Sequence, residues 1–348
     1  MGKYIHHSKP MITAQDIESV VNTIKSGLIS QGNLNKKFEE KFNEYIGSQK
    51  CKLTNSGRSA LFLALKILDI KNGDEVIIPS YVCSSVLKTI ENIGAIPIII
   101  DINDNYCICK NIIETSITSK TKAIILVHTF GISANIKPIN KFLKEKNVYL
   151  IEDCAHAVGG EYHNAKLGSF GDMSFFSFQA TKMLTSGEGG AIILNNKKFL
   201  KKFEDVVLSY GKLFAISDIN VSLLYSQFNE LDNFILKRKQ LASIYIEQLK
   251  DIENITVPIT NINESIFFRF IIKIKDLDFE KIRKFMHQNN IAVRKGVDSM
   301  LYQKNEIKYY NNSETIFNET LSLPIYPELK INDVLKIASI IKEAVNEL

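Results

Sequence analysis

Residues 151–196 have the sequence IEDCAHAVGGEYHNAKLGSFGDMSFFSFQATKMLTSGEGGAIILNN, the most informative stretch of this 348-residue chain. The apolar run 148–151 predicts a buried parallel strand, which ends in the acid pair Glu152 and Asp153. Ligands of open α/β sheets bind beyond the carboxyl ends of the strands, so an acid at this place is expected to face a site.

Lys182 follows a second apolar run, 173–178, which predicts another buried strand. It is the only lysine between Lys166 and Lys197. Desolvation lowers the pKa of a lysine and frees its amine to attack a carbonyl group. The glycine-rich segment 186–190 then gives a backbone that can bend closely around a flat ligand.

A lysine and an acid at strand ends are what the cofactor pyridoxal phosphate requires. Its aldehyde forms a Schiff base with a lysine, and an anion keeps its ring nitrogen protonated so that the ring withdraws electrons. Lys182 suits the first role and Asp153 the second.

Three separated motifs occur in order: ED-x-A-[HQ]-A, FSF-x-x-x-K and GEGG. Together they resemble the DegT/DnrJ/StrS family of pyridoxal-phosphate-dependent sugar aminotransferases. The resemblance implies that Ser177 binds the cofactor phosphate, that Lys182 carries the cofactor and that Asp153 pairs with the pyridine nitrogen. His156 stands where the family has Gln or His in contact with the cofactor, so we assign it to cofactor binding and not to the role of catalytic base.

The fold implied by this resemblance is α/β, the fold-type I arrangement of pyridoxal-phosphate-dependent transferases. It consists of a large domain with a mainly parallel seven-stranded sheet flanked by helices, and a smaller α+β C-terminal domain. Apolar and amphipathic runs alternate from 53 to 151, which independently favours a parallel sheet covered by helices. We expect residues 1–220 to form an N-terminal segment and the large cofactor-binding domain. Residues 221–348 are expected to form one long connecting helix, 223–249, and the small domain.

Segment 55–59 predicts a polar turn at the start of a helix, where free N–H groups favour a phosphate. We assign Ser56, Gly57 and Arg58 to the cofactor phosphate, with an ordinary helix cap as the alternative. Arg58 replaces the small residue usual in the family, so either its side chain or only its backbone N–H reaches the phosphate.

Tyr81 lies just after the predicted strand 75–78, at the start of a predicted helix 81–92. The better-known family members have an aromatic residue at the place of Cys83, so Tyr81 is the nearest candidate to stack on the cofactor ring. An equally good interpretation of Tyr81 is a partly buried residue at the N-terminus of a helix, without a role in the site.

His128 resembles the histidine of the family's H-x-x-G turn, and we expect it to position a loop. Arg269 and Arg294 are candidates for substrate binding, with solvated surface positions as the alternative.

The net charge of +5 and the pI of about 8.7 arise from lysines and arginines spread along the chain, which does not favour nucleic-acid binding. Five cysteines without a CxxC pair predict reduced thiols, no metal site and a cytoplasmic protein. The sequence shows neither a signal peptide nor a membrane span, so no membrane association is expected.

The resemblance also implies a homodimer whose active sites are shared between subunits. The N-terminal segment has apolar positions without an obvious place in the core of its own chain: Ile17, Val20, Val21, Ile24, Phe38 and Phe42. The loop 210–216 is shorter than in the family. Leu213 and Ala215 stand where family members have an Asn that reaches the partner's phosphate, and an Arg two residues later.

The predicted function is therefore transfer of an amino group from an amino acid, glutamate by resemblance, to a keto sugar. The sugar is expected to be linked to a nucleotide, and the product to serve surface-polysaccharide or amino-sugar biosynthesis. A sugar dehydratase on the same scaffold is one alternative, but histidine replaces the lysine in such enzymes and Lys182 argues against it. A non-catalytic regulatory relative is the other, and the presence of Lys182 and Asp153 argues against that.

Overall fold

The computed structural model of the protein describes residues 4–276, 278–303 and 310–347. Two helices precede the first strand, α1 (Ala14–Ser26) and α2 (Asn33–Ile46). Thr13 and Asp16 form a capping box at the start of α1, and Gly27 ends this helix with φ of 73°, a left-handed value that suits glycine.

A seven-stranded sheet forms the centre of the large α/β part. In chain order its first strands are β1 (Lys50–Thr54), β2 (Glu75–Pro79), β3 (Ile96–Ile100), β4 (Thr121–Val127) and β5 (Tyr149–Asp153). A short hairpin follows, β6 (Glu161–Tyr162) and β7 (Ala165–Lys166), before the last two strands, β8 (Met173–Ser177) and β9 (Gly190–Leu194). The spatial order is β1-β9-β8-β5-β4-β2-β3, and only β9 runs antiparallel to its neighbours. The predicted mainly parallel sheet is confirmed.

Helices cover this sheet, as the alternating pattern predicted. They are α3 (Gly57–Ile67), α4 (Ser84–Ile93), α5 (Lys110–Ser116), α6 (Ile136–Lys146), α7 (Leu200–Tyr210), α8 (Asp218–Asn229) and α9 (Leu231–Leu249). Two short 3-10 turns occur at Thr129–Gly131 and Lys197–Phe199.

Two predicted helices have different bounds in the structure. The single helix predicted over 223–249 is wrong, because Glu230 (φ −99°, ψ 3°) breaks it into α8 and α9. Ser217 caps α8 by accepting from the N–H of Asn220, so this helix also begins earlier than predicted. The helix predicted from Tyr81 begins only at Ser84.

The C-terminal part is α+β, as predicted. Its four-stranded antiparallel sheet has the order β10-β11-β13-β12 and contains β10 (Ile255–Thr256), β11 (Phe270–Ile274), β12 (Arg294–Lys295) and β13 (Thr320–Leu323). Its helices are α10 (Phe279–Gln288), α11 (Asn311–Glu319) and α12 (Ile331–Glu347). The chain start also joins this part, because Ile5 forms an isolated bridge with Ile291.

Each sheet has its own hydrophobic core, and α9 contributes to both. Phe234 belongs to the core around the seven-stranded sheet, whereas Leu241 and Tyr245 belong to the core around the four-stranded sheet. Helix α8 packs into the first core through Leu224 and Phe228. The domain boundary at 220/221 stays a prediction.

The N-terminal apolar residues divide into two groups. Phe38 and Phe42 are fully buried in the large core, where Phe42 packs edge-on against Phe176 at 5.0 Å between ring centroids. The expectation that they lack a place in their own chain is therefore wrong, because α2 packs on the sheet. Ile17 and Ile24 of α1 remain 58% and 53% exposed.

None of the helices in the described ranges combines the length and apolar character that a bilayer span requires. All five cysteines are free thiols.

Candidate active site

A cavity of about 440 Å³ lies beyond the carboxyl ends of the parallel strands. Its volume is in the range of small-molecule sites. All eight residues that the sequence assigned to the site line this cavity: Ser56, Gly57, Arg58, Tyr81, Asp153, His156, Ser177 and Lys182. They come from segments far apart in the chain, and the strand order brings them to one edge of the sheet.

Asp153 is the last residue of β5 and is 5% exposed. Its Oδ1 accepts a hydrogen bond from the N–H of Ala155 at 2.9 Å. Burial raises the pKa of the carboxyl group, while the Ala155 N–H and the positive charge of Lys182 oppose this rise. A carboxylate in this position can pair with a cationic group of a ligand.

Lys182 follows β8, in a turn where its N–H donates to the carbonyl oxygen of Gln179 at 2.8 Å. Its Nζ lies 5.3 Å from the centroid of the Phe268 ring. Burial lowers the pKa of the amine to about 8, the Asp153 carboxylate opposes this and Arg269 adds to it. An amine with this pKa is partly neutral near pH 8 and can attack a carbonyl group.

His156 packs between two aromatic rings. It is stacked on Phe268 at 4.2 Å and 18°, and lies nearly parallel to Phe130 at 6.3 Å and 7°. Burial lowers the pKa of the imidazole well below its usual value, so the ring is neutral at physiological pH. Its Nδ1 is buried and has no partner within the described part of the chain.

The residues assigned to phosphate binding surround the start of α3. Ser56 caps this helix by accepting from the N–H of Ser59 at 3.2 Å. Ser177 ends β8 next to it, and a Cβ at Gly57 would lie 3.1 Å from the Ser177 Cβ. A Cβ at Gly190 would lie 2.5 Å from the carbonyl carbon of Ser56, so only glycine fits there.

These groups fit pyridoxal phosphate. A nucleophilic amine and a buried carboxylate share the cavity with a helix N-terminus and two serines, which together favour a phosphate. The buried, unpartnered Nδ1 of His156 adds a hydrogen-bonding group at the same place. Arg58 is exposed at the edge of this cavity.

Tyr81 borders the cavity but is fully buried. Its ring packs against Tyr106 and Phe130, each with ring centroids 6.1 Å away. Burial raises the pKa of its hydroxyl well above the usual value. Stacking of Tyr81 on the cofactor stays a prediction.

His128 and Glu152 lie away from the cavity, in a buried hydrogen-bond network. The N–H of Ala134 donates to His128 Nδ1 at 3.3 Å, so His128 Nε2–H donates to Glu152 Oε2 at 3.1 Å. Glu152 also accepts from the backbone N–H groups of Gly168 (3.0 Å), Phe170 (2.7 Å) and Gly171 (2.7 Å). The expectation that the acid pair faces the site holds for Asp153 alone, because successive side chains of a strand point to opposite faces.

Cys154 completes a buried group with these two residues, and the ligand-type atoms of the three lie within 4.8 Å of one another. Such grouping resembles a metal site, which the sequence did not predict. Because Glu152 already accepts from four protein donors, we interpret the group as a hydrogen-bond network.

Phe268 and Arg269 complete the site from the C-terminal part. Phe268 contacts both Lys182 and His156, and Arg269 and Arg294 line the cavity. The sequence offered no signal for Phe268, because its place depends on how the two parts pack. Leu213, by contrast, is 71% exposed, and neither it nor Ala215 lines the cavity.

The sequence profile of the DegT/DnrJ/EryC1/StrS aminotransferase family matches residues 10–342. The chain is 29% identical over 361 residues to GDP-perosamine synthase of Escherichia coli O157:H7, covering 98% of each protein. It is 30% identical over 350 residues to dTDP-3-amino-3,6-dideoxy-alpha-D-galactopyranose transaminase of Aneurinibacillus thermoaerophilus, covering 95% of each.

Among solved structures, the fold is similar to that of Helicobacter pylori PseC, an aminotransferase involved in the biosynthesis of pseudoaminic acid. The TM-score is 0.92 at 23% identity, over 99% of this chain and all of the other. The match over nearly the whole chain agrees with a site that holds an amine, a buried acid and a helix N-terminus with two serines. The chain therefore belongs to the DegT/DnrJ/EryC1/StrS family and is an aminotransferase that uses pyridoxal phosphate.

Proposed function

We propose that the protein transfers the amino group of glutamate to the keto group of a nucleotide-linked sugar, for amino-sugar or surface-polysaccharide biosynthesis. The observation that carries this proposal is the Lys182 amine, with its pKa lowered to about 8, in one cavity with the buried Asp153. The substrate class is supported by the two relatives whose names specify GDP- and dTDP-linked sugars.

Bound pyridoxal phosphate supplies an aldehyde that bonds to an amine and a ring that withdraws electrons from the reacting carbon. In this proposal Lys182 would hold the cofactor until the donor's amino group takes its place. The freed Nζ would then accept the proton of the donor's α-carbon and pass it on to the cofactor. Asp153 keeps a proton on the ring nitrogen, because its carboxylate attracts the cationic form. His156, which burial keeps neutral, contacts the ring as a hydrogen-bonding group.

The cofactor phosphate is assigned to the start of α3. Ser56, Gly57, Arg58 and Ser177 would hold it, since the first N–H groups of a helix lack intrahelical acceptors and favour an anion. Tyr81 is proposed to contribute to the wall of the cofactor site, because it borders the same cavity.

We also propose a homodimer with shared active sites. The exposed apolar residues Ile17 (58%), Val21 (38%), Ile24 (53%) and Leu28 (72%) lie on one side of α1 and just beyond it, and a second copy would cover them. Sedimentation at micromolar concentration should give a dimer, and Ile17→Glu should shift it toward monomer. Asn22→Glu, an exposed position on the same helix, is the matched control. A fully active wild-type monomer would contradict this proposal.

Shared sites have a separate test, because a dimer can form without them. Lys182→Ala subunits should regain partial activity when mixed with subunits inactivated by changes on the other side of the subunit interface, if the sites are shared. The predicted division into domains 1–220 and 221–348 and the cytoplasmic location also belong to this proposal; five free thiols agree with a reducing compartment.

The function is tested by incubating the protein and cofactor with ¹⁵N-glutamate and a set of GDP- and dTDP-linked keto sugars. We expect ¹⁵N in the sugar product and 2-oxoglutarate in equal amount, both abolished by Lys182→Ala. A sugar product that has lost water and contains no ¹⁵N would instead identify a dehydratase. Absence of any reaction and of cofactor binding would favour the regulatory alternative.

A further inference from the structure

Two polar residues of the C-terminal part line the cavity without a role in the proposed cofactor contacts, Asp298 and Ser299. Both are exposed. The apolar residues on either side of them pack instead against the core of the seven-stranded sheet: Val297, Met300 and Leu301. Segment 297–301 therefore docks on the large α/β part by its apolar residues and presents its two polar residues to the cavity.

Hydrogen bonds hold the end of this segment in place. The N–H of Leu301 donates to the carbonyl oxygen of Ser80 at 2.9 Å. Just beyond, the side-chain amide of Gln303 pairs with the backbone of β3, the strand at one edge of the sheet, through bonds of 2.9 and 3.2 Å. Groups on a segment that is anchored in this way are preorganised, so they lose little freedom when a ligand binds.

The Asp298 carboxylate is available to a ligand. Within the described part of the chain it accepts no hydrogen bond and forms no ion pair, and the Ser299 hydroxyl makes no hydrogen bond either. Burial lowers the pKa of Arg269 and the charge of Asp298 opposes this effect, so the two groups lie within electrostatic range of each other. The Arg269 guanidinium and the Lys182 Nζ lie 6.0 and 5.3 Å from the centroid of the same ring, that of Phe268. Asp298 thus faces the part of the cavity that holds the proposed reacting amine.

The charges of the reactants limit what this carboxylate can bind. The cofactor phosphate, the carboxylates of an amino donor and the diphosphate of a nucleotide-linked sugar are all anions, and a carboxylate repels them. The sugar ring instead carries hydroxyl groups, which donate hydrogen bonds without bringing negative charge. A carboxylate offers two acceptor oxygens and a serine hydroxyl both donates and accepts, so this pair of residues can hold more than one hydroxyl group.

We propose that Asp298 and Ser299 bind hydroxyl groups of the sugar ring and thereby contribute to the choice of sugar; this inference rests on the proposed function. A nucleobase also has N–H donors, but the sugar ring, two phosphates and a ribose separate it from the keto carbon. Asp298 contributes more than Ser299, because hydrogen bonds to a charged group are stronger than those between neutral groups.

The test uses two nucleotide sugars that lack a keto group and cannot react, GDP-mannose and dTDP-glucose, each beside its nucleotide alone, GDP or dTDP. Binding of each probe to the cofactor-loaded protein is measured by calorimetry, which reports affinity independently of turnover. The wild type should bind at least one nucleotide sugar more tightly than its nucleotide. We expect Asp298→Ala to weaken binding of that nucleotide sugar by roughly 10-fold, the lower end for loss of a hydrogen bond to a charged group, since the residue is exposed. Binding of the nucleotide alone should change by less than about threefold.

Three further variants sharpen this result. Ser299→Ala should weaken binding of the same nucleotide sugar by only about twofold, the lower end for a neutral hydrogen bond. Asp298→Asn keeps one acceptor oxygen but loses the charge, so its affinity should fall between those of the wild type and Asp298→Ala; it decides the question if Asp298→Ala does not fold. Asp251→Ala, at an exposed acid that does not line the cavity, is the matched control and should bind every probe as the wild type does.

Three outcomes would overturn the proposal. Equal losses for the nucleotide sugar and for the nucleotide would show that Asp298 acts on the nucleotide or only on the structure of its own segment. Wild-type affinity of both Asp298 variants for every probe would show that the carboxylate has no part in binding. A wild type that binds neither nucleotide sugar more tightly than its nucleotide would show that the cavity has no such contact with the sugar ring.

Failure of this inference is distinguishable from failure of the proposed function. If the wild type transfers ¹⁵N to the sugar while both Asp298 variants bind the nucleotide sugars as tightly as the wild type, only the subsite assignment is wrong. If no ¹⁵N is transferred by the wild type, the proposed function itself is wrong.

Discussion

Glu152 and Asp153 are consecutive acids at the end of one strand, yet they belong to two different regions. Glu152, on the scaffold side, is fully buried and accepts from four protein donors. Asp153, on the cavity side, accepts from one backbone N–H and has a raised pKa because of burial. An acid satisfied by its own chain therefore stabilises the fold, whereas an acid with acceptor capacity left in a cavity can bind a ligand.

Two arginines are divided between the same two regions. Arg238 is 4% exposed, and its Nη1 donates to the carbonyl oxygens of Phe267, Phe268 and Ile325. It therefore fixes the turn that carries Phe268, at which Phe267 has a φ of 50°. Arg269 follows that turn on the cavity side, where its Nη1 donates to the carbonyl oxygens of Lys295 and Gly296. Arg238 thus stabilises the segment that carries Phe268, whereas Arg269 itself lines the cavity.

The largest effect is expected for Lys182→Ala on the cavity side. It should abolish transamination and the visible absorbance of the lysine-bound cofactor, because no other group of the proposed site can replace the amine. Thermal unfolding should change little, since the lysine does not contribute to the core. Lys197→Ala, at an exposed lysine, is the control and should keep activity. Undiminished absorbance in Lys182→Ala would show that another lysine is used.

The next largest effect is expected for Asp153→Asn. The variant should still bind the cofactor but lose roughly 10- to 150-fold in kcat, because loss of a charge-assisted hydrogen bond costs about 1.5–3 kcal/mol. Steady-state kinetics with saturating cofactor measure this. Wild-type turnover would rule out the role of Asp153.

A smaller effect concerns pH. The pKa of Lys182 is lowered to about 8, so its neutral form grows as pH rises toward that value and levels off above it. The rate at which the cofactor-free protein takes up pyridoxal phosphate should therefore increase about fivefold between pH 7 and 8. Stopped-flow absorbance over pH 6 to 10 measures the pH at which this rate reaches half of its maximum. We expect this midpoint near pH 8, because it reports the pKa of the buried Lys182 amine. A midpoint close to the 10.5 of an ordinary lysine would contradict the burial argument.

The smallest effect on activity is expected for Glu152→Gln on the scaffold side. Its amide would bring an N–H group toward the N–H donors of the 168–171 turn, so the free energy of unfolding should fall by about 1–3 kcal/mol. Folded enzyme should keep kcat within about threefold of the wild type. Denaturant unfolding and kinetics on one preparation measure both. A loss of kcat as large as that of Asp153→Asn, without loss of stability, would remove the distinction between the two sides.

The sequence predicted the cavity side better than the scaffold side. Lys182 and Asp153 stand at the ends of apolar runs, and strand ends meet at one edge of a parallel sheet, so local pattern was sufficient to group these two. Ser177 was assigned through the family resemblance. The place of Arg269 and Phe268 depends on packing between two cores, which no local pattern encodes. The break at Glu230 and the burial of Phe38 and Phe42 depend on the same tertiary contacts.

We propose that Lys182, and no other lysine, carries the cofactor. Borohydride reduction of the cofactor-loaded wild type, followed by proteolysis and mass spectrometry, tests it most directly, because reduction makes the bond between lysine and cofactor permanent. We expect the added cofactor mass on the peptide that contains Lys182 and on no other. Stoichiometric labelling of a different lysine, with the Lys182 peptide unmodified, would contradict it.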